Sequence, residues 1–455
     1  MFKTKNKIIQ LLALAIVLPF LGLGCKGAGT IAEESLAPVT LNYWRVFDEP
    51  SDFTDIITAF KQLHPNININ VRKLRFEEYE DAIIRALAEG NGPDIISVQT
   101  TQLKQYQNLL SPIPPSITLP VAFYDGKKMS ISLQTKKLPD IRDIRNNFVD
   151  TVASDITING QIYALPLGID TLVLYYNRAM LNQANIPFAP ATWAEFKEQI
   201  KELTIQDKEG NIIQSGVPLG GAYNINRAPD ILALLMMQNG TPMADANNSR
   251  ATFNLVPENL TNPDIAPGAD ALRFYTDFAS PAKEVYTWNE SMSESLNAFT
   301  GQKSAFFIGY SYHLPLIRSL APGMDLEIAP LPQISSASQQ VNFANYWVEG
   351  VTRQSKNQNE AWAFVDFAAS APNVSSFLVS AQKPTALRSL IANQRQDPIM
   401  SVFANQVLTA KTWYHGKNSS AMEEAMRAAI QQVVDGEREP QEAIDEAVGI
   451  INLTY

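Results

Sequence analysis

From Val39 onward the apolar positions follow two alternating rhythms. The stretch "VTLNYW" (39–44) is β-branched and aromatic and predicts a strand, after which Phe53, Ile56, Ile57, Phe60 and Leu63 recur at helical spacing. That spacing predicts an amphipathic helix over 51–63, ending near His64-Pro65. In "NININVRKL" the apolar residues Ile67, Ile69 and Val71 alternate with polar ones, as in a half-buried strand. Phe76, Tyr79, Ile83 and Leu87 mark a second helix, stopped by "GNGP", and the apolar run "DIISV" suits a strand covered on both faces. Strand–helix–strand–helix–strand in this order implies an α/β fold with a mainly parallel sheet flanked by helices. The region 111–147 carries proline and lysine with weak periodicity and reads as an insertion.

The first 24 residues have a different pattern. Lys3, Lys5 and Lys7 precede an apolar run from Leu11 to Leu23, interrupted by Pro19 and Gly22, and no acidic residue occurs before Cys25. The run is too short for the roughly 20 residues of a membrane-crossing helix and has the layout of a secretory signal. Gly24 before Cys25, the only cysteine of the chain, resembles the lipobox of bacterial lipoproteins, whose cysteine becomes the lipidated first residue. The position three before the cysteine is usually leucine in that pattern and is Gly22 here. An ordinary signal peptide or an uncleaved anchor is the alternative. The expected organisation is a signal peptide over 1–24 and a small, polar, lipidated tether over 25–38.

With Cys25 lipidated the mature chain has no disulfide, so its core alone must hold it. A chain of 455 residues with 45% apolar content can supply one, and usually splits into two domains. Loss of the three leader lysines takes the formal charge from 36 − 46 = −10 to 33 − 46 = −13. So acidic a body gives no electrostatic basis for binding nucleic acid. His64, His313 and His415 show no metal-ligand spacing, and neither a Gly-rich phosphate loop nor a Gly-x-Ser-x-Gly elbow is present. No metal and no cofactor is expected. The paired carboxylates Glu77-Glu78 and Glu423-Glu424 raise glycoside hydrolysis as a reading. Helical neighbours point apart, however, so they read as solvated faces, and no catalytic residue is assigned.

Longer blocks carry a family resemblance. "LNYWRVFDEPSDFTDIITAFKQLHPNININV", "YEDAIIRALAEGNGPDIISV" and "NGQIYALPLGIDTLVLYYNRAMLNQANIPFAPATWAEFKEQIKELT" are followed by "AFTGQKSAFFIGYSYHLPLI", "IAPLPQ" and "VEGVTRQSKNQNEAWAFVDFAAS". In this order they resemble bacterial extracellular solute-binding proteins of the sugar-binding type, over nearly all of 39–455. The resemblance implies a two-lobed periplasmic-binding-protein clamshell, with crossings near 166–171, 302–306 and 345–348. It places 39–168 and 304–345 in an N-terminal lobe, and 169–303 and 346–455 in a C-terminal lobe. It also implies a monomer outside the membrane, held there by the lipid and passing a small solute to the permease subunits of an ABC importer. A tethered sensor, or a binder of peptides or other solutes, would look the same in sequence.

A sugar site needs aromatic planes to stack on, with carboxylates and amides at the edges. Trp193, beside the Thr192/Glu195 capping box, and Trp362, in an apolar helix face, read as packing; Trp288 has no clear pattern. Trp44 ends the first strand, where open α/β sheets place ligands. Trp347 falls at the implied third crossing and Trp413 in a loop before a helix. Each of these three stacks on ligand or packs a lobe. Asp170 interrupts the apolar "LPLGIDTLVLYY", so its charge should face a wet cleft; a hinge pair with an arginine is the other possibility. Asp48 and Glu49 bind hydroxyls or cap the helix near Ser51. Gln99 and Thr100 follow the "DIISV" strand, and Tyr223, Asn224, Tyr310 and Tyr312 complete the candidate ligand-binding set.

Overall fold

The computed structural model describes residues 36–455 apart from 127, 258–265, 336 and 338. The expected signal peptide, Cys25 and most of the tether lie outside the described residues. The first strand runs Val39–Arg45 and pairs in parallel with Ile67–Lys73 on one side and Ile95–Gln99 on the other. Between them the helices Thr54–Leu63 and Phe76–Ala88 bury Ile56 and Phe60, and Tyr79, Ile83 and Leu87. The periodicity therefore reads correctly here, with one exception. Phe76 points out of the core and is 54% exposed.

The sheet does not stay parallel. Trp347–Thr352 pairs antiparallel with Ile95–Gln99, and then with Leu110–Ser111 and Leu165–Pro166. The insertion is a hairpin, Ser116–Asp125 with Lys128–Lys137. Ile117, Leu119, Ala122 and Ile131 are buried, His64 Nδ1 meets the Pro120 carbonyl at 2.9 Å, and Lys136 pairs with Asp366 at 2.5 Å. Pro120 within a strand and an exposed outer half explain why its periodicity is weak.

Two large cores separate the lobes. One gathers 41–169, the helices Gln358–Ala369 and Ala371–Ser380, and Val348 and Val351. The other gathers residues of 172–343 and of 413–451. In the second lobe Val173–Asn177 is the middle of a three-stranded antiparallel sheet, between Phe306–Gly309 and Leu326–Ala329. Its residues alternate faces: Leu174 and Tyr176, with Leu172 just before the strand, join the large core, and Val173 and Tyr175 pack with Phe307, Ile317 and Phe403.

The lobe boundaries thus differ from those the resemblance implied. Residues 304–343 stay with the second lobe, and 346 to about 391 return to the first. No crossing occurs at 302–306, because Phe306 pairs with Tyr176 within the second-lobe sheet. The reason is physical. "FFIG" and "WVEGVT" are both buried on two faces, so their pattern marks a central strand without saying which sheet receives it.

The crossings lie side by side. Thr171 bridges Ala344, and Asn342–Phe343 pairs in parallel with Ala410–Lys411. Asn345 N–H donates to the Asp170 carbonyl at 3.0 Å, and Ala344 N–H to that of Lys411 at 2.9 Å. Gly168 is needed at the first crossing, since a Cβ there would sit 2.9 Å from the Pro384 carbonyl oxygen. Asp155, buried at the end of the helix Asp150–Asp155, secures the other two. It accepts the Tyr346 hydroxyl at 2.6 Å, Thr151 Oγ1 at 3.1 Å and the Thr412 hydroxyl, with His415 Nε2 3.4 Å away. Burial pushes the His415 pKa down, but the Asp155 carboxylate more than reverses this and holds it above the usual imidazole value.

Candidate functional site

The cleft is built on a pinned loop. Arg45, the last residue of the first strand, is buried with its guanidinium 4.5 Å from the Phe53 ring centroid, and it pairs with Asp48 and with Glu349 at 3.3 Å. The other Asp48 oxygen takes Lys383 Nζ at 2.6 Å. Burial alone would raise the Asp48 pKa; the two cations pull it down to about 2, so it is charged throughout the physiological range. With Val46 and Asp48 both fixed inward, Phe47 stands outward at 47% exposure.

Phe47 belongs to a row of rings that crosses between lobes. It stacks on Phe76 (6.0 Å, 20°) and on Tyr312 of the second lobe (6.1 Å, 8°), and meets Trp347 edge-on at 5.6 Å. Tyr312 continues to Tyr310 (5.8 Å, 18°) and is 38% exposed. His313 sets this turn, accepting the Tyr310 backbone N–H on Nδ1 at 2.9 Å. Burial pushes its pKa down to about 3, so the imidazole stays neutral and keeps that acceptor.

A chain of polar groups runs beside the rings. Gln99 Nε2 donates to Asn345 Oδ1 at 2.7 Å, Asn345 Nδ2 to Asp230 at 3.2 Å, and Tyr310 OH to Asp230 at 2.5 Å. Asp230 and Glu423 both grip Arg227, each at 2.8 Å through Nη2. Thr101, Arg227, Asp230, Asn345, Trp413 and Glu423 line a cavity of only about 10 Å³ between the lobes, room for about one water. Among the described residues, the Thr101 hydroxyl at this cavity and the buried hydroxyl of neighbouring Thr100 have no hydrogen-bond partner. A larger hollow of about 530 Å³ lies near the helices His313–Leu320 and Ala371–Ser380. Its described lining contains no aromatic ring, so it offers a sugar no stacking face.

Asp170 sits where the first crossing meets the Tyr312 turn. Its carboxylate accepts Ser311 N–H at 3.0 Å, Ser311 Oγ at 2.6 Å and Thr171 N–H at 2.9 Å. Burial raises its pKa to about 6 despite these donors.

The structure brings together Gln99, Thr100, Asp170, Tyr310, Tyr312 and Trp347 of the sequence candidates. Others sit elsewhere. Trp44 packs half-buried on the first-lobe core with the Arg72 guanidinium 4.9 Å from its ring centroid. Asp48 spends both oxygens within its own lobe, and exposed Glu49 caps the turn Pro50–Phe53 and pairs with Lys73 at 2.5 Å. Tyr223 is exposed and donates to Glu424 at 2.8 Å. Asn224 holds the buried Trp288 Nε1 at 3.0 Å. Trp413 is buried edge-on to Phe253 at 5.8 Å, offering the cavity little of its surface. Sequence reasoning missed Phe47, Phe76, Arg227, Asp230, Asn345 and Glu423. One signal was available: Asp230 interrupts "APDILALLMM" as Asp170 interrupts its own apolar run.

The model of the family described as bacterial extracellular solute-binding protein matches residues 47–374. The chain belongs to that family. This solute-binding protein is 22% identical to a galactooligosaccharide-binding protein of Bacillus subtilis, over 97% of this chain and 96% of that one. It is 21% identical to a multiple sugar-binding protein of Streptococcus mutans, over 77% and 76%. Among solved structures, a cyclo/maltodextrin-binding protein complexed with maltotetraose matches at TM-score 0.68 and 16% identity, covering 92% of this chain and 98% of the other. A Listeria monocytogenes substrate-binding protein in complex with cycloalternan matches at 0.68 and 13%, covering 92% and 99%. These likenesses establish the two-lobed fold. The curated relatives are named as binding proteins, and the family places this one outside the cytoplasm. No helix among the described residues is long and apolar enough to cross a membrane.

The Asp170 shift makes a pH-dependent prediction for the solute-binding protein. Its folded pKa lies above the ordinary aspartate value, so its contribution to stability is full below about pH 3.8 and is lost as pH rises through about 6. Asp170→Asn removes that loss. In urea unfolding the variant should gain about 1–3 kcal/mol relative to wild type between pH 4.5 and 7.5. An equal difference at both pH values would show that Asp170 is not buried as an acid.

Proposed function

We propose that this protein captures a sugar or oligosaccharide outside the cell membrane and offers it to an ABC importer, tethered through lipid on Cys25. The observation that carries the reading is the half-exposed aromatic row Phe76–Phe47–Tyr312 with Trp347, supplied by both lobes, together with the Glu423 carboxylate at the interlobe cavity. Sugars present C–H faces that stack on such rings and hydroxyls that donate to such carboxylates. The relatives named for galactooligosaccharide and multiple-sugar binding support the same ligand class. In this structure the rings contact one another across the boundary, so a ligand must part Phe47 from Tyr312 and replace that contact. Such exchange couples lobe movement to occupancy. The lipid anchor explains the single thiol: it keeps a freely hinged receptor beside its permease, and stable retention requires more than one acyl chain.

A soluble form beginning at Ala32, screened against neutral mono- and oligosaccharides by thermal shift, should gain roughly 2.7 kcal/mol at about 100 times the dissociation constant. Tyr312→Ala should fold and lose at least about tenfold in affinity, roughly 1.4 kcal/mol. A flat panel from folded, ligand-free protein would move the reading to another solute class. In metabolic labelling of the full chain, Cys25→Ser should lose both lipid and membrane retention; equal retention would remove the anchor from the account.

A further inference from the structure

Glu423 and Glu424 read in sequence as helical neighbours on solvated faces, and the structure turns one of them inward. Both lie on the helix Ser419–Val434. Glu424 accepts the exposed Tyr223 hydroxyl, whereas Glu423 turns inward to Arg227. Arg227 has a left-handed backbone at φ 57°, immediately before the helix Ala228–Gln238. A non-glycine residue holds that conformation only where its surroundings over-determine it. Two forks do so: Nε and Nη2 to the Asp230 oxygens at 2.9 and 2.8 Å, and Nη2 and Nη1 to the Glu423 oxygens at 2.8 and 3.3 Å.

The triad has one cation for two carboxylates, and the carboxylates differ in what they have left. Asp230 is 6% exposed and also receives Tyr310 OH and Asn345 Nδ2. Its acceptor capacity is used. Glu423 is 23% exposed, lines the interlobe cavity, and receives Arg227 there. Buried beneath the cleft in the first lobe, Arg45 and Lys383 face Asp48 and Glu349, and Asp170 adds a further acid at the first crossing. Each of the three cations already faces a carboxylate, and the eight groups sum to 3 − 5 = −2 when ionised.

On the saccharide reading of this cleft, we infer that Glu423 makes the site select neutral over anionic saccharides. Its free lone pairs accept a hydroxyl proton from a neutral sugar. A carboxylate brought to the same place meets an uncompensated negative charge with little water to screen it. Arg227 keeps Glu423 ionised and aimed, acting as a positioning residue.

The test is calorimetric titration of the soluble form with β-galactotriose and with the same trisaccharide oxidised to a uronate at C6 of its non-reducing end. Wild type should bind the neutral sugar at least about tenfold more tightly, and the ratio should narrow as salt is raised. Glu423→Gln, which still offers Arg227 a carbonyl acceptor, should shrink the ratio at least about fivefold by improving uronate binding. Glu424→Gln should leave it unchanged. An undiminished ratio in folded Glu423→Gln, or equal wild-type affinity for the two sugars, overturns the assignment while leaving saccharide binding intact. Wild-type failure to bind either sugar overturns the saccharide reading for this class, and the selection with it.

Discussion

One buried carboxylate fixes the geometry on which the cleft depends. Asp155 belongs to the first lobe, yet its partners are Tyr346 and Thr412, on two of the three segments that pass between lobes. A buried acid left without donors would cost several kcal/mol, so the first lobe and both crossings are held in one register. The first crossing is tied to the second by the Thr171–Ala344 bridge and by Asn345 N–H on the Asp170 carbonyl. The hinge is therefore three adjacent segments, two of them held directly by Asp155, and Trp347 and Asn345 enter the cleft beside that anchor.

A second constraint aims the rings. The Arg45–Asp48–Lys383 cluster holds the loop after the first strand, and Phe47 is the residue that loop projects. On the other lobe Asp170 and His313 hold the Tyr310–Tyr312 turn from two sides. Both platforms are thus set by buried polar groups with their partners in place, which suits a site whose rings must keep their angle while the lobes move. The polar chain Gln99–Asn345–Asp230–Arg227–Glu423 passes through the second crossing itself. On the proposed reading, contacts to ligand and contacts within the hinge would share residues, which would link occupancy to lobe position.

The sequence shows this fold in unequal measure. Helix and strand periods located the first three strands and two helices because one face of each meets the core. They failed for lobe membership, since "FFIG" and "WVEGVT" are buried on both faces and fit either sheet. Charge within an apolar run singled out Asp170, which the structure places on Ser311 and Thr171 at the first crossing, and would have singled out Asp230. Phe76 follows the helical period of the core residues Tyr79 and Ile83 and yet faces the cleft. Glu423 and Glu424 are identical as letters, and partners 196 and 201 positions away in the chain, Arg227 for one and Tyr223 for the other, distinguish them. Candidates chosen for being aromatic or acidic near a strand end include Asp48, whose oxygens go to Arg45 and Lys383, and Trp413, buried edge-on to Phe253.

The most direct measurement is a crystal structure of the soluble form with the tightest-binding saccharide. The account predicts Phe47 and Tyr312 parted, a pyranose face against Tyr312 or Trp347, and a sugar hydroxyl within hydrogen-bond distance of Glu423. A saccharide bound elsewhere, with Phe47 still stacked on Tyr312, would contradict it.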